Sequence, residues 1–158
     1  MKKIKNIGLL LFLILSTLSF SYQVNYDDVV DIVLRNYPQS RVTKIEISNY
    51  KDKIVYDGEA FDKGQKIEFI IDVNTGEVYK MDPNYDDEYN PSYNLPITFE
   101  QASRIALNNS FNGRVKSIEL KNIDKKAYYT VEVKEDKSEK EINIDANSGK
   151  ILTIKESI

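Results

Sequence analysis

Phe69-Ile-Ile-Asp-Val-Asn-Thr-Gly-Glu-Val-Tyr79 decides the fold, because the chain carries it twice, the second time as Ile142-Asn-Ile-Asp-Ala-Asn-Ser-Gly-Lys-Ile-Leu152. Each copy runs an alternating apolar segment into Asp-x-Asn-x-Gly and follows it with another apolar segment. Asp and Asn bond their own backbone in turns, and Gly accepts φ > 0 at little cost, so the pattern predicts strand, tight turn, strand. Working outward, the 73-residue offset between the copies holds without a gap from Tyr26/Phe99 to Tyr85/Ile158. Identical pairs include Ile32/Ile105, Arg41/Arg114, Ile45/Ile118, Tyr56/Tyr129, Glu59/Glu132, Glu68/Glu141 and Asp72/Asp145. One register held that long marks a tandem duplication, and two copies fall short of a solenoid.

The repeat unit reads as α+β. Asn25 caps a helix over Tyr26–Asn36, with Val29, Val30, Val33 and Leu34 at helical spacing, and Pro38 stops it. In the second copy Thr98-Phe-Glu-Gln101 is a capping-box pattern ahead of Ala102, Ile105, Ala106 and Leu107. The pairs Val29/Ala102 and Val33/Ala106 predict a second helix closer to its sheet. Four strands follow each helix: Val42–Ser48, Ile54–Phe61, Lys66–Asp72 and Glu77–Met81, matched by Val115–Lys121, Ala127–Lys134, Glu139–Asp145 and Lys150–Lys155. Short polar connections favour antiparallel hairpins. The expectation is two tandem modules, each one helix packed on a four-stranded antiparallel sheet. The modules span 22–81 and 98–158, joined by a Pro-, Tyr- and Asp-rich linker over 82–97.

Alternation divides the sheet faces. Ile54, Tyr56, Gly58, Ala60, Ile67, Phe69 and Ile71 are expected under the first helix. Ala127, Tyr129, Val131, Val133, Ile142 and Ile144 are expected under the second. One helix covers only one side of a sheet. The other side, with Val55, Asp57, Glu59, Phe61, Glu68 and Ile70 and with Tyr128, Thr130, Glu132, Lys134, Glu141 and Asn143, is left open or covered by something else.

Composition narrows the function. The chain has 158 residues with a formal net charge of −3, and neither Cys nor His. Disulfides, thiol chemistry, Cys/His zinc sites and imidazole bases are excluded. Met1–Lys5 is a basic segment, Ile7–Leu15 an apolar one, and Ser19-Phe20-Ser21 offers a cleavage site, so residues 1–21 read as a signal peptide and the protein as exported. The competing reading, an uncleaved anchor, needs about 20 apolar residues, more than Ile7–Tyr22 supplies. Losing Lys2, Lys3 and Lys5 leaves 19 basic against 25 acidic residues. A mildly acidic protein is a poor partner for nucleic acid or anionic membranes.

Four constellations are candidates for chemistry or binding. Asp72/Asn74 and Asp145/Asn147 resemble the opening of a calcium loop, but the twelfth positions hold Pro83 and Glu156, and the following segment reads as strand; hairpin turns fit better. The linker acids Asp82, Asp86, Asp87 and Glu88 are the other conceivable calcium site, for an envelope sensor of ligands or cations. A solvated charge run is the plainer account of them. The pairs Glu59 with Glu68 and Glu132 with Glu141, on adjacent strands, invite a general-acid reading. No pocket, nucleophile turn or oxyanion hole accompanies them, and Lys126, Lys134 and Lys140 are at hand to pair with them. No catalytic, cofactor or metal residue is therefore assigned. Tyr128, Tyr129, Tyr79 and Phe61 suit either a protein-binding surface or plain strand propensity.

The second copy's Gly113-Arg-Val-Lys-Ser-Ile-Glu119, Tyr128-Tyr-Thr-Val-Glu-Val133 and Ile144-Asp-Ala-Asn-Ser-Gly-Lys-Ile151 resemble the PepSY (peptidase propeptide and YpeB) domain. In the first copy Arg41-Val-Thr-Lys-Ile-Glu46 and Asp72-Val-Asn-Thr-Gly-Glu-Val78 are similar, while Gly58 departs from the apolar residue usual in strand two. The resemblance implies a non-enzymatic module of the kind found in propeptides of secreted metalloproteases and in freestanding exported proteins that restrain peptidases or assist their folding. Without a His to build His-Glu-x-x-His, it implies action in trans on a protein partner, a secreted metallopeptidase. The candidate contact residues are those of the open face: Glu59, Glu68, Tyr128, Thr130, Glu132 and Glu141.

Overall fold

The computed structural model describes residues 22–84, 95–123 and 126–158; residues 1–21, read above as a signal peptide, and residues 85–94, with Asp86, Asp87 and Glu88, lie outside them. Helix α1 (Tyr26–Asn36) precedes β1 (Arg41–Tyr50), β2 (Lys53–Asp62), β3 (Gln65–Asp72) and β4 (Val78–Asn84). Helix α2 (Phe99–Leu107) precedes β5 (Arg114–Ile123), β6 (Lys126–Lys134), β7 (Glu139–Asp145) and β8 (Ile151–Ser157). Both helices begin with reciprocal capping boxes, Asn25 with Asp28 and Thr98 with Gln101, each satisfying two otherwise orphaned N–H groups.

The strands do not form two separate sheets. They make one eight-stranded antiparallel sheet in the order β4-β3-β2-β1-β5-β6-β7-β8. The joint is the β1–β5 pair, with Lys44 opposite Glu119, Ile45 opposite Ile118 and Glu46 opposite Ser117. Ile45 and Ile118 are the same position in the two copies, so a pseudo-twofold axis passes between them. The two first strands thereby cover each other's edges, which would otherwise present unpaired backbone. β4 also runs further than its sequence pattern, through Pro83 opposite Ile67. An edge strand tolerates a proline because the missing N–H can face solvent.

Both helices lie on one face over a single apolar core. Val29, Val33, Ala102 and Ala106 meet Ile45, Tyr56, Phe69, Ile71, Ile118, Tyr129, Val131 and Ile142 there. Helix α2, with the smaller residues, packs on β5 and β6, and α1 packs on β1. Ile54 differs from expectation. It is exposed, and it sits at the end of β2, where its carbonyl accepts the Val73 N–H.

The repeated turn does more than reverse the chain. Gly76 and Gly149 adopt φ of +71° and +72°. The N–H of each bonds the carbonyl of Asp72 or Asp145, at 3.0 and 2.9 Å. Val73 and Ala146, inside the turns, are fully buried. Their carbonyls accept the N–H of Val24 and Ile97, on the segments that lead into the helices, at 3.1 and 3.2 Å. The same segments are held from the sheet, since the Tyr56 hydroxyl donates to Val24 O (2.6 Å) and the Tyr129 hydroxyl to Ile97 O (2.7 Å). Burial pushes both phenols well above their ordinary range, so they remain protonated donors.

Candidate functional site: the uncovered sheet face

The strand registers convert the alternation of the sequence into two rows of side chains crossing the helix-free face. One row reads Asp82, Glu68, Glu59, Lys44, Glu119, Thr130, Asn143, Thr153 from β4 to β8. The next reads Lys80, Ile70, Asp57, Glu46, Ser117, Glu132, Glu141, Lys155. Eight carboxylates and three lysines occupy these two central rows, so the middle of the face is an acidic belt. Fusing the two halves made it continuous.

The predicted residues all fall on this face, but they do not gather at one point. Glu59 and Glu68 are directly opposite each other, as are Glu132 and Glu141. Neither pair has the environment of a general acid. Lys66 Nζ lies 2.8 Å from Glu59 and 3.6 Å from Glu68, and Lys80 Nζ lies 2.8 Å from Glu68. In the second half Glu132 accepts the Ser117 hydroxyl at 3.0 Å, and Lys155 Nζ reaches Glu141 at 3.1 Å. The lysines named from sequence serve elsewhere: Lys140 pairs with Glu135 at 2.8 Å and Lys134 with Glu139 at 3.2 Å. Thr130 is buried on this face and donates to Asn143, which donates in turn to Thr153. Glu59 and Tyr128 are brought together by the joint. They line a hollow of about 340 Å³ with Lys44, Phe61, Glu119 and Lys121, drawn from both halves.

Sequence reading missed a third acidic pair. Asp57 stands opposite Glu46, and local desolvation, then the Glu46 charge, holds its pKa above the usual carboxylate range. A sign was available in the alternation of both strands, but the register that aligns them was not. Val55 also behaves unexpectedly. It lies on the open side yet is buried, outside the core cluster, at the end where Tyr50 and Tyr79 stack with centroids 5.8 Å apart.

The turn carboxylates are committed to structure. Asp72 Oδ1 accepts the N–H of Asn74 and Thr75, and its Oδ2 accepts the Tyr79 hydroxyl. Burial opposes the charge on Asp72, but these donors outweigh it and keep the carboxyl below its ordinary range. Asp145 Oδ1 takes the hydroxyl and N–H of Ser148 and the N–H of Asn147, which lowers its pKa likewise. The Oδ1 of each serves as the turn acceptor, which is what the hairpin reading requires. Among the described residues no group of three or more His, Cys, Asp or Glu is placed to hold a metal ion. Nor is any helix among them long and apolar enough to cross a membrane.

The profile of the PepSY family, peptidase propeptide and YPEB domain, matches residues 23–82 and again residues 96–155. The chain belongs to the PepSY family. Both PepSY matches end beyond the Asp-x-x-x-Gly hairpin, so the repeated turn lies inside each. No curated protein matches the chain. Among solved structures, a candidate lipoprotein from Clostridium difficile 630 aligns over 88% of this chain and 97% of its own, at 24% identity and a TM-score of 0.63. At that identity the likeness shows a shared fold. The fold is therefore not peculiar to this sequence.

Proposed function

We propose that this tandem PepSY protein works outside the cytoplasm as a non-catalytic binding protein, and that its open sheet face engages and restrains a secreted peptidase. One observation carries the reading: among the described residues, the eight-stranded sheet has both helices on one side and presents an acidic belt on the other. A charged belt of this kind favours a partner surface rich in Lys and Arg, and steers its approach. The basic leader over residues 1–5 with its apolar continuation supports export. The saturation of Glu59, Glu68, Glu132 and Glu141 by lysines and hydroxyls supports contact in place of catalysis.

The test is capture of partners from culture supernatant by the exported protein, followed by a peptidase inhibition assay with the captured enzyme. Combined replacement Tyr128→Ala, Glu132→Ala and Glu141→Ala is expected to weaken binding at least tenfold and to reduce its salt dependence. Unchanged binding by the triple variant would remove this face as the contact surface.

A further inference from the structure

The two outer strands of the sheet are finished differently. β4 carries Pro83, whose ring and missing N–H hinder pairing by a further strand. β8 has Glu156 in the position of Pro83, and among the described residues no strand lies beyond it. Both strands are bulged near their starts, so the bulge does not distinguish them. Their side chains do. In β8 Leu152 and Ile154 are 50% and 47% exposed, and Ile158 after it is fully so. The position of Leu152 in β4 is Tyr79, which is bonded to Lys53 and Asp72 and stacked on Tyr50. That of Ile154 is Met81, which packs against the core, and Val78 is the exposed apolar residue that β4 retains.

We propose that the β8 edge pairs with β8 of a second copy, antiparallel about a twofold axis at Thr153, so that one sheet runs through the dimer. The strand is self-complementary in that register. Leu152 of each copy stands opposite Ile154 of the other, and the Lys150 end of each strand lies beside the Glu156 end of the other. Apolar meets apolar and opposite charges meet, each of them twice. Other centres do worse: Ile154 sets Leu152 against Glu156, Lys155 opposes two lysines, and Glu156 opposes two acids. Lys155 is paired with Glu141 at 3.1 Å, so the acidic belt ends in a compensated pair at this edge and does not repel its copy. Pro83 hinders the alternative of β8 adding to β4 of the next molecule, which would grow an open chain; the twofold pair closes on itself. The molecule already contains such a joint in β1–β5, where equivalent strands meet antiparallel with Ile45 opposite Ile118. A twofold axis normal to the sheet leaves the acidic belts of both copies on one side. The edge is separate from that belt, and the pairing does not depend on the peptidase reading.

Sedimentation velocity of the full exported protein tests this. A short edge buries less than a standard interface, so a dimer is expected to build up over roughly 5–500 µM. Ile154→Lys, which places a charge against the apolar pair, should weaken dimerisation at least tenfold. Glu156→Pro transplants the β4 residue to the same place in β8 and should weaken it similarly; the first half folds with proline there, so the circular dichroism spectrum should not change. The register is read separately with single cysteines in this cysteine-free chain. Mild oxidation should link Thr153→Cys chains about tenfold faster than Lys155→Cys chains, because only the residue on the axis faces its own copy. A protein that stays monomeric throughout the range overturns the proposal and leaves the edge to a different partner. A dimer that both folded variants retain overturns it by placing the contact elsewhere, and growth beyond the dimer does so by favouring β8 on β4. Equal or faster linking through Lys155→Cys contradicts the pairing about Thr153.

Discussion

The two halves share one backbone plan but fill it with different side chains. In the first half Val29 and Val33 face the sheet, Gly58 sits in β2, and Phe69 lies opposite it in β3. The second half has Ala102, Ala106, Val131 and Ile142 at the same places. A Cβ on Gly58 would come 2.2 Å from Phe69 Cζ and 2.5 Å from the Lys44 carbonyl oxygen. The phenyl ring occupies the space that Val131 fills with its own methyl groups. At this strand pair core volume is thus conserved by exchange, as packing density requires. Among the residues that stay identical are the hairpin Asp, the hairpin Gly and the strand-two Tyr.

Swapping residues between the halves breaks this equivalence most severely at Gly58. Gly58→Val is expected to cost about 3 kcal/mol or more in urea unfolding, by overpacking against both the ring and the backbone. Adding Phe69→Ile should recover only part of the loss, because the Lys44 carbonyl remains in the way. Full recovery would show that the ring alone sets the constraint.

The conserved anchors come next. Tyr56→Phe and Tyr129→Phe each leave a carbonyl before a helix without its donor, at an expected cost of about 1–2 kcal/mol apiece. Similar values would confirm that both halves depend on the same tie; a negligible cost at one would mean that half is held in another way.

The hairpin acids should differ in acid sensitivity. Asp72 is buried and bonded by Tyr79, whereas the position of Tyr79 in the second half is Leu152. A carboxyl whose folded pKa lies below its unfolded value of about 3.9 contributes stability above that pH and loses it as pH falls through the folded value. Asp72→Asn is therefore expected to destabilise at pH 7 and to make progressively less difference below about pH 4. Melting curves from pH 7 to 2 for Asp72→Asn and Asp145→Asn would show which turn relies more on its charge.

The smallest effect belongs to Asp57, whose counterpart is Thr130. Its raised pKa means that the folded state disfavours the charged form, so stability is lost as pH rises through the carboxylate range. Asp57→Asn should stabilise slightly at pH 7, by less than about 1 kcal/mol, the scale of a like-charge cross-strand pair. That gain should vanish below about pH 3, where the carboxyl is protonated. A destabilised Asp57→Asn variant would mean that the carboxylate is engaged favourably.

The hairpins, the helix caps and the facing of nearly every strand residue were legible because each is written locally, in turn chemistry and in periods of 2 and 3.6. The same alternation put Glu59, Glu68, Glu132 and Glu141 on the open face. The joint was not legible. Lys44, Ile45 and Glu46 alternate like any other strand residues, and nothing local says that their free edge meets a segment 73 residues away. Asp27 was hidden for the same reason. It reads as an acid in its own helix's first turn, yet it accepts the Thr98 hydroxyl at 3.0 Å and the Glu100 N–H at 3.2 Å, capping the other helix. That contact, like the continuous acidic belt, exists only once the halves meet. Ile54 failed for a simpler reason: alternation assigns a face but does not say where the covering helix ends.

The joined sheet is tested most directly in this cysteine-free chain by the pair Lys44→Cys and Glu119→Cys. These positions are opposite each other across the β1–β5 joint, and directly opposed antiparallel residues have Cα atoms roughly 4.5–5.5 Å apart, within the reach of a disulfide. Mild oxidation should close an intramolecular disulfide in nearly every molecule at low protein concentration, with the far-ultraviolet spectrum unchanged. Two free thiols after oxidation, in a protein that is otherwise folded, would mean that the halves do not share a sheet, and the continuous acidic face would go with it.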